Sequence, residues 1–272
     1  MSDVLVAQDG SVATVTLSRP ERKNAMTVDA WRSLRETFGA LQHDDSVRAV
    51  ILTGAGGDFC TGADMERRDS THPLDRMREI NATALAVAEF SKPLVAQVEG
   101  YAVGAGWNMA LLCDVVVASR TAKFSQIFAR RGLSVDFGGS WILPRLVGLH
   151  QAKRLVMLAD IVSAEEAYGL GLVTELVEPD ALAGRAAEHI RGCPYHIRSR
   201  RAAPPPVAVS MSARMLEQGS SLTLRAALEN EARSQAVNHA TDAPDAMRAF
   251  VEKREPSFTG GWRVPRPVDT PS

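Results

Sequence analysis

A glycine-rich stretch between an apolar run and an amphipathic segment places the strongest limit on how this chain folds. The apolar run is Leu94–Val98, the glycines are Gly100, Gly104 and Gly106, and the amphipathic segment begins at Trp107. This pattern predicts a sharp turn from a strand into a helix. The first N–H groups of a helix lack intrahelical partners and favour negative charge. The stretch is therefore either a site for an anion or a developing oxyanion, or a tight turn whose glycines only permit close packing.

The N-terminal half reads as strands that alternate with helices. A hairpin is predicted over residues 4–17, because Asp9-Gly10 tolerates positive φ between two apolar segments. Thr27 can cap the helix that follows. The later elements, alternately helix and strand, are predicted at 28–41, 48–53, 77–87, 94–98, 107–112 and 114–118. Their repetition predicts an α/β fold with mostly parallel strands that helices cover.

Helices dominate from Gly138 onward, and a change in composition divides them. They are predicted at 139–146, 151–158, 164–169, 181–191, 207–218, 222–237 and 244–253. Residues 192–206 combine Cys193-Pro194, three arginines and three consecutive prolines, a composition typical of a linker. We therefore expect a core over 1–191, a linker over 192–206 and a helical C-terminal region over 207–272. That region is too short to bury a core alone, so we expect it to pack on the core or on a neighbouring subunit.

Composition excludes several classes of function. Lys and Arg number 31 against 32 Asp and Glu, which argues against nucleic acid or a membrane surface as the main partner. No apolar run is long enough to span a bilayer, and residues 1–9 lack the features of a leader peptide. Cys60, Cys113 and Cys193 have no zinc-site spacing and favour a reducing compartment. The six histidines are scattered, so we expect no metal site. The lack of leader features and of a long apolar run leads us to expect a cytoplasmic protein.

Two further features are candidates for chemistry. A second glycine turn, at 54–57, ends a predicted strand and leads through 59–65 toward another helix, and two such turns can converge at the carboxyl edge of a sheet. Neither turn has the spacing of a nucleotide-binding motif. Asp136 lies between Val135 and Phe137, just before a predicted helix. It either caps that helix or, desolvated by its apolar neighbours, accepts and donates protons near neutral pH.

Five blocks of sequence, in this order, resemble the enoyl-CoA hydratase/isomerase (crotonase) superfamily. They are Phe-Cys-Thr-Gly-Ala-Asp at 59–64, Gly-Tyr-Ala-Val-Gly-Ala-Gly at 100–106, Gly-Gly-Ser-Trp-Ile-Leu-Pro-Arg-Leu-Val-Gly at 138–148, Ala-Glu-Glu-Ala-Tyr-Gly-Leu-Gly-Leu-Val at 164–173, and the tail at 250–260. The resemblance implies a spiral of ββα repeats with a helical C-terminal region. It also implies a trimer or a dimer of trimers, a coenzyme A thioester as substrate, and no cofactor beyond that coenzyme A.

The resemblance gives the two turns a joint role. The backbone N–H groups of Ala63 and Ala105 look like an oxyanion hole for the thioester carbonyl as it becomes an enolate, although Ala105 replaces a glycine common in the family. Arg22 and Lys23 are similar to a basic segment near the coenzyme A phosphates or adenine, with solvated surface charge as the alternative. The positions implied to contact substrate are Arg22, Lys23, Ala25, Thr61, Asp64, Met65, Tyr101, Gly104, Asn108, Phe128, Leu133, Lys253 and Phe258.

The chain departs from the family at its acids. Hydratases of the family carry two glutamates that activate water, and here Asn108 and Phe128 occupy those places. Asp136 lies where some isomerases of the superfamily keep their working aspartate, and where aryl-CoA dehalogenases keep a nucleophilic one. We therefore expect an acyl-CoA isomerase that uses Asp136 as its acid and base. The alternatives are a hydratase with weak or unusual water addition and a catalytically silent acyl-CoA-binding oligomer.

Overall fold

The computed structural model describes residues 3–65, 72–191, 206–219, 221–222, 224–254 and 256–262. The chain divides into two compact units, Met1–Ile190 and Arg191–Ser272. The predicted linker lies outside the described residues except for Pro206, which begins a helix. No helix in the described part of the chain combines the length and apolar character needed to cross a membrane.

The first unit contains all of the strands found among the described residues. They are β1 (Val4–Asp9), β2 (Val12–Leu17), β3 (Ala49–Gly54), β4 (Leu94–Val98), β5 (Tyr101–Val103), β6 (Val115–Ser119), β7 (Lys123–Ser125), β8 (Val162–Ser163) and β9 (Glu175–Val177). Six of them form one sheet in the order β1-β2-β3-β4-β6-β9. The β1–β2 pair is antiparallel, as the hairpin signal predicts, and the other pairs are parallel. The predicted α/β fold is confirmed.

Helices connect these strands and continue through the second unit. They are α1 (Val28–His43), α2 (Pro73–Ala88), α3 (Ala105–Leu111), α4 (Gly139–Leu158), α5 (Ala164–Gly169), α6 (Leu182–Arg191), α7 (Pro206–Gly219), α8 (Leu224–His239) and α9 (Ala243–Glu252). Thr27 caps α1, since its hydroxyl oxygen accepts the Ala30 N–H at 3.1 Å. Two predicted helices form the single element α4, which is interrupted at Gly148, where φ is 72°.

The sheet is buried on both faces, because successive side chains of each strand point in opposite directions. On one face Val50 and Leu52 join a large apolar cluster that includes Trp31 and Phe38 of α1. On the other, Ile51 belongs to a smaller cluster with side chains of α6. The continuous apolar run of β3 is therefore that of a strand covered from both sides.

A small second sheet is missing from the sequence-based interpretation. The prediction of one turn from strand into helix is incomplete, because β5 lies between Gly100 and Gly104. β5 pairs in parallel with β7, and β7 pairs with β8 in antiparallel fashion. Strands of two or three residues are too short to show an alternating pattern. Strand β5 of this small sheet connects the carboxyl end of β4 in the large sheet to the turn before α3.

Candidate active site

The turn before α3 presents a backbone N–H at its end. Gly104 precedes the helix with φ 59° and ψ −127°, and its own N–H donates to the Ser125 carbonyl oxygen at 2.8 Å. Ala105 is the first residue of α3, so its N–H points out of the helix start. A side chain on Gly106 would overlap the carbonyl oxygen of Cys60. Glycine at 106 therefore allows α3 to lie directly against the segment that contains Cys60.

The turn at residues 60–64 meets the turn before α3. The Val103 N–H donates to the Cys60 carbonyl oxygen at 2.9 Å, while the Met26 N–H, which lies outside both turns, donates to the Gly62 carbonyl oxygen at 2.8 Å. Gly62 has φ 84°, and a Cβ placed on it would lie 3.3 Å from the backbone nitrogen of Ala105. The two turns are therefore in direct contact; we call residues 60–64 the first amide turn and residues 103–106 the second amide turn.

The two N–H groups that the resemblance assigns to an oxyanion hole lie in these amide turns. Among the described residues, neither the Ala63 nor the Ala105 N–H has a hydrogen-bond acceptor within the protein. Ala105 is almost fully buried, and its N–H also carries the partial positive charge of a helix start. An oxygen that gains negative charge during a reaction is stabilised by donors of this kind.

An ion pair supports the first amide turn from behind. Arg19 Nη2 lies 2.9 Å from Asp64 Oδ2, and the Asp64 side chain is only 4% exposed. Arg19 also donates to the carbonyl oxygen of Ala25, next to the Met26 that pairs with Gly62 and Asp64. Asp64, predicted to contact substrate, has its charge compensated by an arginine within the protein. The ion pair fixes the backbone on which the Ala63 N–H is carried.

Asp136 lies in a loop, residues 133–138, that we call the acid loop. Its side chain is half-buried, and its Oδ1 atom is buried without a hydrogen-bond partner among the described residues. Burial disfavours the charged form and raises the pKa of the Asp136 carboxyl to about 6. The helix-cap interpretation is wrong, since α4 is capped by Gly138 and no side chain accepts a hydrogen bond there. The carboxyl is left available for proton transfer.

Two contacts anchor the acid loop. The Asp136 carbonyl oxygen accepts hydrogen bonds from Asn108 Nδ2 at 2.8 Å and from the Gly139 N–H at 2.9 Å. Phe137 is fully buried and its ring centre lies 5.1 Å from that of Trp31. It adopts φ 48°, a left-handed conformation that is unfavourable for a bulky residue and is found mainly where function requires it.

The two positions at which the sequence predicts replacement of the family glutamates are both buried. Asn108 is 0% exposed and lies three residues after Ala105, on a neighbouring position of the same helix face. Phe128 is 5% exposed, and its ring lies 3.5 Å from the position that a Cβ on Gly104 would occupy. The Asn108 amide therefore joins α3 to the acid loop, and the Phe128 ring lies against the second amide turn.

The predicted basic segment has partners within the protein. Lys23 Nζ lies 3.0 Å from Asp58 Oδ2 and 4.4 Å from the centre of the Tyr101 ring. Arg22 Nη2 lies 3.8 Å from Asp64 Oδ1. Both cations are partly exposed, so they remain accessible to a phosphate group. Their contact with coenzyme A stays a prediction, as does that of Tyr101.

The other predicted contact residues lie in several places. Ala25 is buried, the Thr61 hydroxyl donates to the Lys23 carbonyl oxygen at 3.2 Å, and Met65 and Leu133 are exposed. Lys253 and Phe258 belong to the second unit, where Lys253 follows α9 with φ 53°. Their roles stay predictions.

Two polar side chains near the site were not identified from the sequence. Arg19 holds the first amide turn, and Gln126 donates from Nε2 to Asn108 Oδ1 at 2.8 Å. Neither belongs to a spacing pattern, so only the fold reveals them. Among the described residues, no three His, Cys, Asp or Glu side chains come together as ligands for a metal ion.

Known proteins match this chain over nearly its whole length. A family model described as enoyl-CoA hydratase/isomerase matches residues 7–261. The 1,2-epoxyphenylacetyl-CoA isomerase of Escherichia coli K12 is 34% identical over 268 residues, which cover 96% of this chain and 99% of that protein. The short-chain-enoyl-CoA hydratase of Clostridium acetobutylicum is 35% identical over 260 residues, covering 94% and 97%.

Solved structures agree in fold. The crystal structure of an enoyl-CoA hydratase from Polaromonas sp. JS666 superposes with a TM-score of 0.85 at 29% identity, covering 94% of this chain and 99% of that one. Together with the paired amide turns, these matches show that the chain belongs to the enoyl-CoA hydratase/isomerase (crotonase) superfamily and has its fold.

Proposed function

We propose that this protein is an acyl-CoA isomerase that shifts a carbon–carbon double bond by proton transfer, with Asp136 as both acid and base. The thioester oxygen is bound by the N–H groups of Ala63 and Ala105. The substrate supplies its own coenzyme A, and we propose no further cofactor.

The reaction needs one carboxyl group. The Asp136 carboxylate takes the proton from the carbon beside the thioester carbonyl, and the C–H electrons move into an enolate whose oxygen the two N–H groups stabilise. The carboxyl group then returns the proton to the carbon two positions further along the chain. The double bond moves into conjugation, the carboxylate is regenerated, and no electrons or atoms are gained or lost.

The proposal is carried by the Asp136 Oδ1 atom, which is buried with no hydrogen-bond partner in the part of the chain that the structure describes. A pKa of about 6 leaves this group mostly ionised at neutral pH yet basic enough to take up a proton. Asn108 and Phe128 occupy the two places where the family's hydratases activate water, and neither side chain is an acid or base. Proton transfer within the substrate is therefore favoured over water addition.

The relatives favour one alternative, which is hydration. Several of them are described as hydratases, including the short-chain-enoyl-CoA hydratase and the 2,3-dehydroadipyl-CoA hydratase of Escherichia coli K12, which is 32% identical. In this chain a hydratase would have to activate water with Asp136 alone. A positioned acid or base contributes about 10²–10⁴ to a rate, so the loss of both glutamates predicts slow hydration.

Measuring both reactions on the same enzyme preparation tests the proposal. A 3-enoyl-CoA is expected to be converted to the conjugated 2-enoyl-CoA at least about 10²-fold faster than crotonyl-CoA is hydrated. Hydration faster than isomerisation would establish the hydratase. Tight thioester binding with neither reaction, and with no exchange of the α-proton for deuterium, would establish a silent binding protein.

We also propose that the protein works as a homo-oligomer, a trimer or a dimer of trimers. Large apolar side chains are exposed along the C-terminal part of α4 and just after it, at Leu149, Met157, Leu158 and Ile161. Exposed apolar residues of this kind favour contact with another protein surface. Light scattering of the purified protein is expected to give the mass of a trimer or hexamer, and a monomer would contradict this.

A further inference from the structure

We infer that Asn108 is a positioning residue that, together with Gln126, holds the backbone of Asp136 in place for proton transfer. Gln126 Nε2 donates to Asn108 Oδ1 at 2.8 Å, and Asn108 Nδ2 donates to the Asp136 carbonyl oxygen at 2.8 Å. Both amide side chains are 0% exposed. The inference rests on the proposed function, in which Asp136 moves the proton.

The direction of this hydrogen-bond chain is fixed by its last acceptor. A backbone carbonyl only accepts, so the nitrogen of the Asn108 amide faces Asp136 and its oxygen faces Gln126. Gln126 must then present its own nitrogen to Asn108. A carboxylate at position 108 would instead place an oxygen against the Asp136 carbonyl, so the acid of a hydratase and this hydrogen bond exclude each other.

Gln126 keeps this orientation at an energetic disadvantage. Its Oε1 atom is buried with no hydrogen-bond partner among the described residues, which is unfavourable for an acceptor. Glycine at 139 leaves room for the arrangement, because a Cβ there would overlap Asn108 Nδ2 and lie 2.6 Å from a methyl group of Val135. The orientation of the Gln126 amide and the glycine at 139 therefore both favour the contact between Asn108 and the acid loop.

The contact acts on the carboxyl through the backbone. The Asp136 carbonyl is held by Asn108 and the Gly139 N–H, and the Phe137 ring is buried beside Trp31, so the peptide unit between residues 136 and 137 is fixed. This peptide unit is attached to the Asp136 Cα and therefore constrains the direction of the side chain. A misplacement of about 1 Å in a reacting group can lower a rate by about 10²-fold.

The test is a double-mutant cycle on the isomerisation reaction, with steady-state kinetics and a separate measurement of thioester affinity. Asn108→Ala is expected to lower kcat by about 10²-fold, while Kd for the thioester changes by less than about threefold. Gln126→Ala is expected to lower kcat by about tenfold. Because Gln126 acts through Asn108, the double variant should be no slower than Asn108→Ala alone.

A matched control separates positioning from a general loss of stability. Gln42 also uses both atoms of its amide, bonding to Ser91 between α1 and the segment after α2. Gln42→Ala should lower the melting temperature and leave kcat within about twofold of the original value. If Asn108→Ala does not fold, Asn108→Leu, which is close in volume and removes the donor without adding an acid, takes its place with the same expectations.

Three results would overturn the inference. The first is a raised Kd with unchanged kcat, which would make Asn108 a substrate contact. The second is additive effects of the two substitutions on kcat, and the third is unchanged kinetics in both variants. Asp136→Asn separates a failure of the proposed function from a failure of the positioning role of Asn108. If that variant isomerises at the original rate, the proposed function fails; if it is inactive while Asn108→Ala is fully active, only the positioning role fails.

Discussion

The amide turns and the acid loop form the two halves of the candidate site by different means. The amide turns offer backbone N–H groups, and glycines at 62, 104 and 106 let their segments meet closely. The acid loop offers one side chain, Asp136, which is fixed by a neighbouring amide and an aromatic ring. The first half depends on where the backbone runs, whereas the second depends on which side chains are present.

This difference separates what a family shares from what one member does. A backbone N–H survives almost any substitution at its own residue, so Ala105 can replace a glycine without removing the donor. A side-chain base is lost with a single substitution, as the resemblance implies for Asn108 and Phe128. We therefore expect loss of the Asp136 carboxyl to remove the base, and substitutions that shift the amide turns to weaken stabilisation of the enolate.

The largest effect is expected from removing the base. Asp136→Asn keeps the shape of the side chain and should lower kcat for isomerisation by about 10²–10⁴-fold with thioester affinity preserved. Steady-state kinetics and a binding titration measure both quantities. Asp29→Asn, at an exposed position of α1, serves as the control and should be fully active. A variant at 136 with more than about a tenth of the original kcat would show that another group is the base.

The amide turns should be broken by a methyl group at position 106. Gly106→Ala places its Cβ against the Cys60 carbonyl oxygen, so α3 must move away and the Ala105 N–H moves with it. The expected loss in kcat is about 10²–10³-fold, the usual effect of losing one oxyanion donor. Gly39→Ala, where a Cβ meets nothing within 4 Å, is the matched control. Equal activities of the two alanine variants would contradict the role of this turn.

The pH dependence should report on the acid loop alone. Because Asp136 has to be ionised to accept a proton, kcat/KM should rise about tenfold per pH unit up to its pKa of about 6 and level off above it. Gly106→Ala should lower this curve without moving its midpoint, since it alters no titrating group. A profile that is flat between about pH 5 and 8 would rule out Asp136 as the base.

The smallest effect is a gain in stability on removing the same carboxyl. Burial raises the folded-state pKa of Asp136 from 3.8 to about 6, so the folded protein binds a proton more tightly than the unfolded chain. Proton binding by Asp136 therefore stabilises the folded protein. This stabilisation is fully present below about pH 4 and is lost as the pH rises through 6. Asp136→Asn should raise the free energy of unfolding at pH 7 by about 1–3 kcal/mol and leave it unchanged near pH 4. Urea denaturation at both pH values would show whether the gain disappears in acid.

Both halves of the site show the same limit on what the sequence predicts. The parallel strands β3 and β4 and the cap at Thr27 follow from apolar runs and local turn residues, and the structure confirms them, whereas the order of the strands in the sheet was not predicted. The contact between Gly62 and Ala105 depends on the small sheet of β5, which is too short to leave a periodic signal. A long-range pairing of this kind is set by tertiary packing.

The acid loop shows the same limit at the level of single side chains. Apolar neighbours of Asp136 in the sequence predict its desolvation, and its raised pKa agrees with that. The bond from Asn108 joins residues 28 positions apart and was not predicted. Neither was the support from Gln126, because a polar residue with one buried partner looks like any other polar residue in a sequence.

Isotope exchange tests the central claim most directly. A thioester bound in deuterium oxide should exchange its α-proton in the original protein, and the exchange should fall by about 10²-fold or more in Asp136→Asn while the thioester remains bound. Mass spectrometry of the recovered thioester measures the incorporation without requiring a complete turnover. Exchange at the original rate in Asp136→Asn would contradict the assignment of Asp136 as the group that takes the proton.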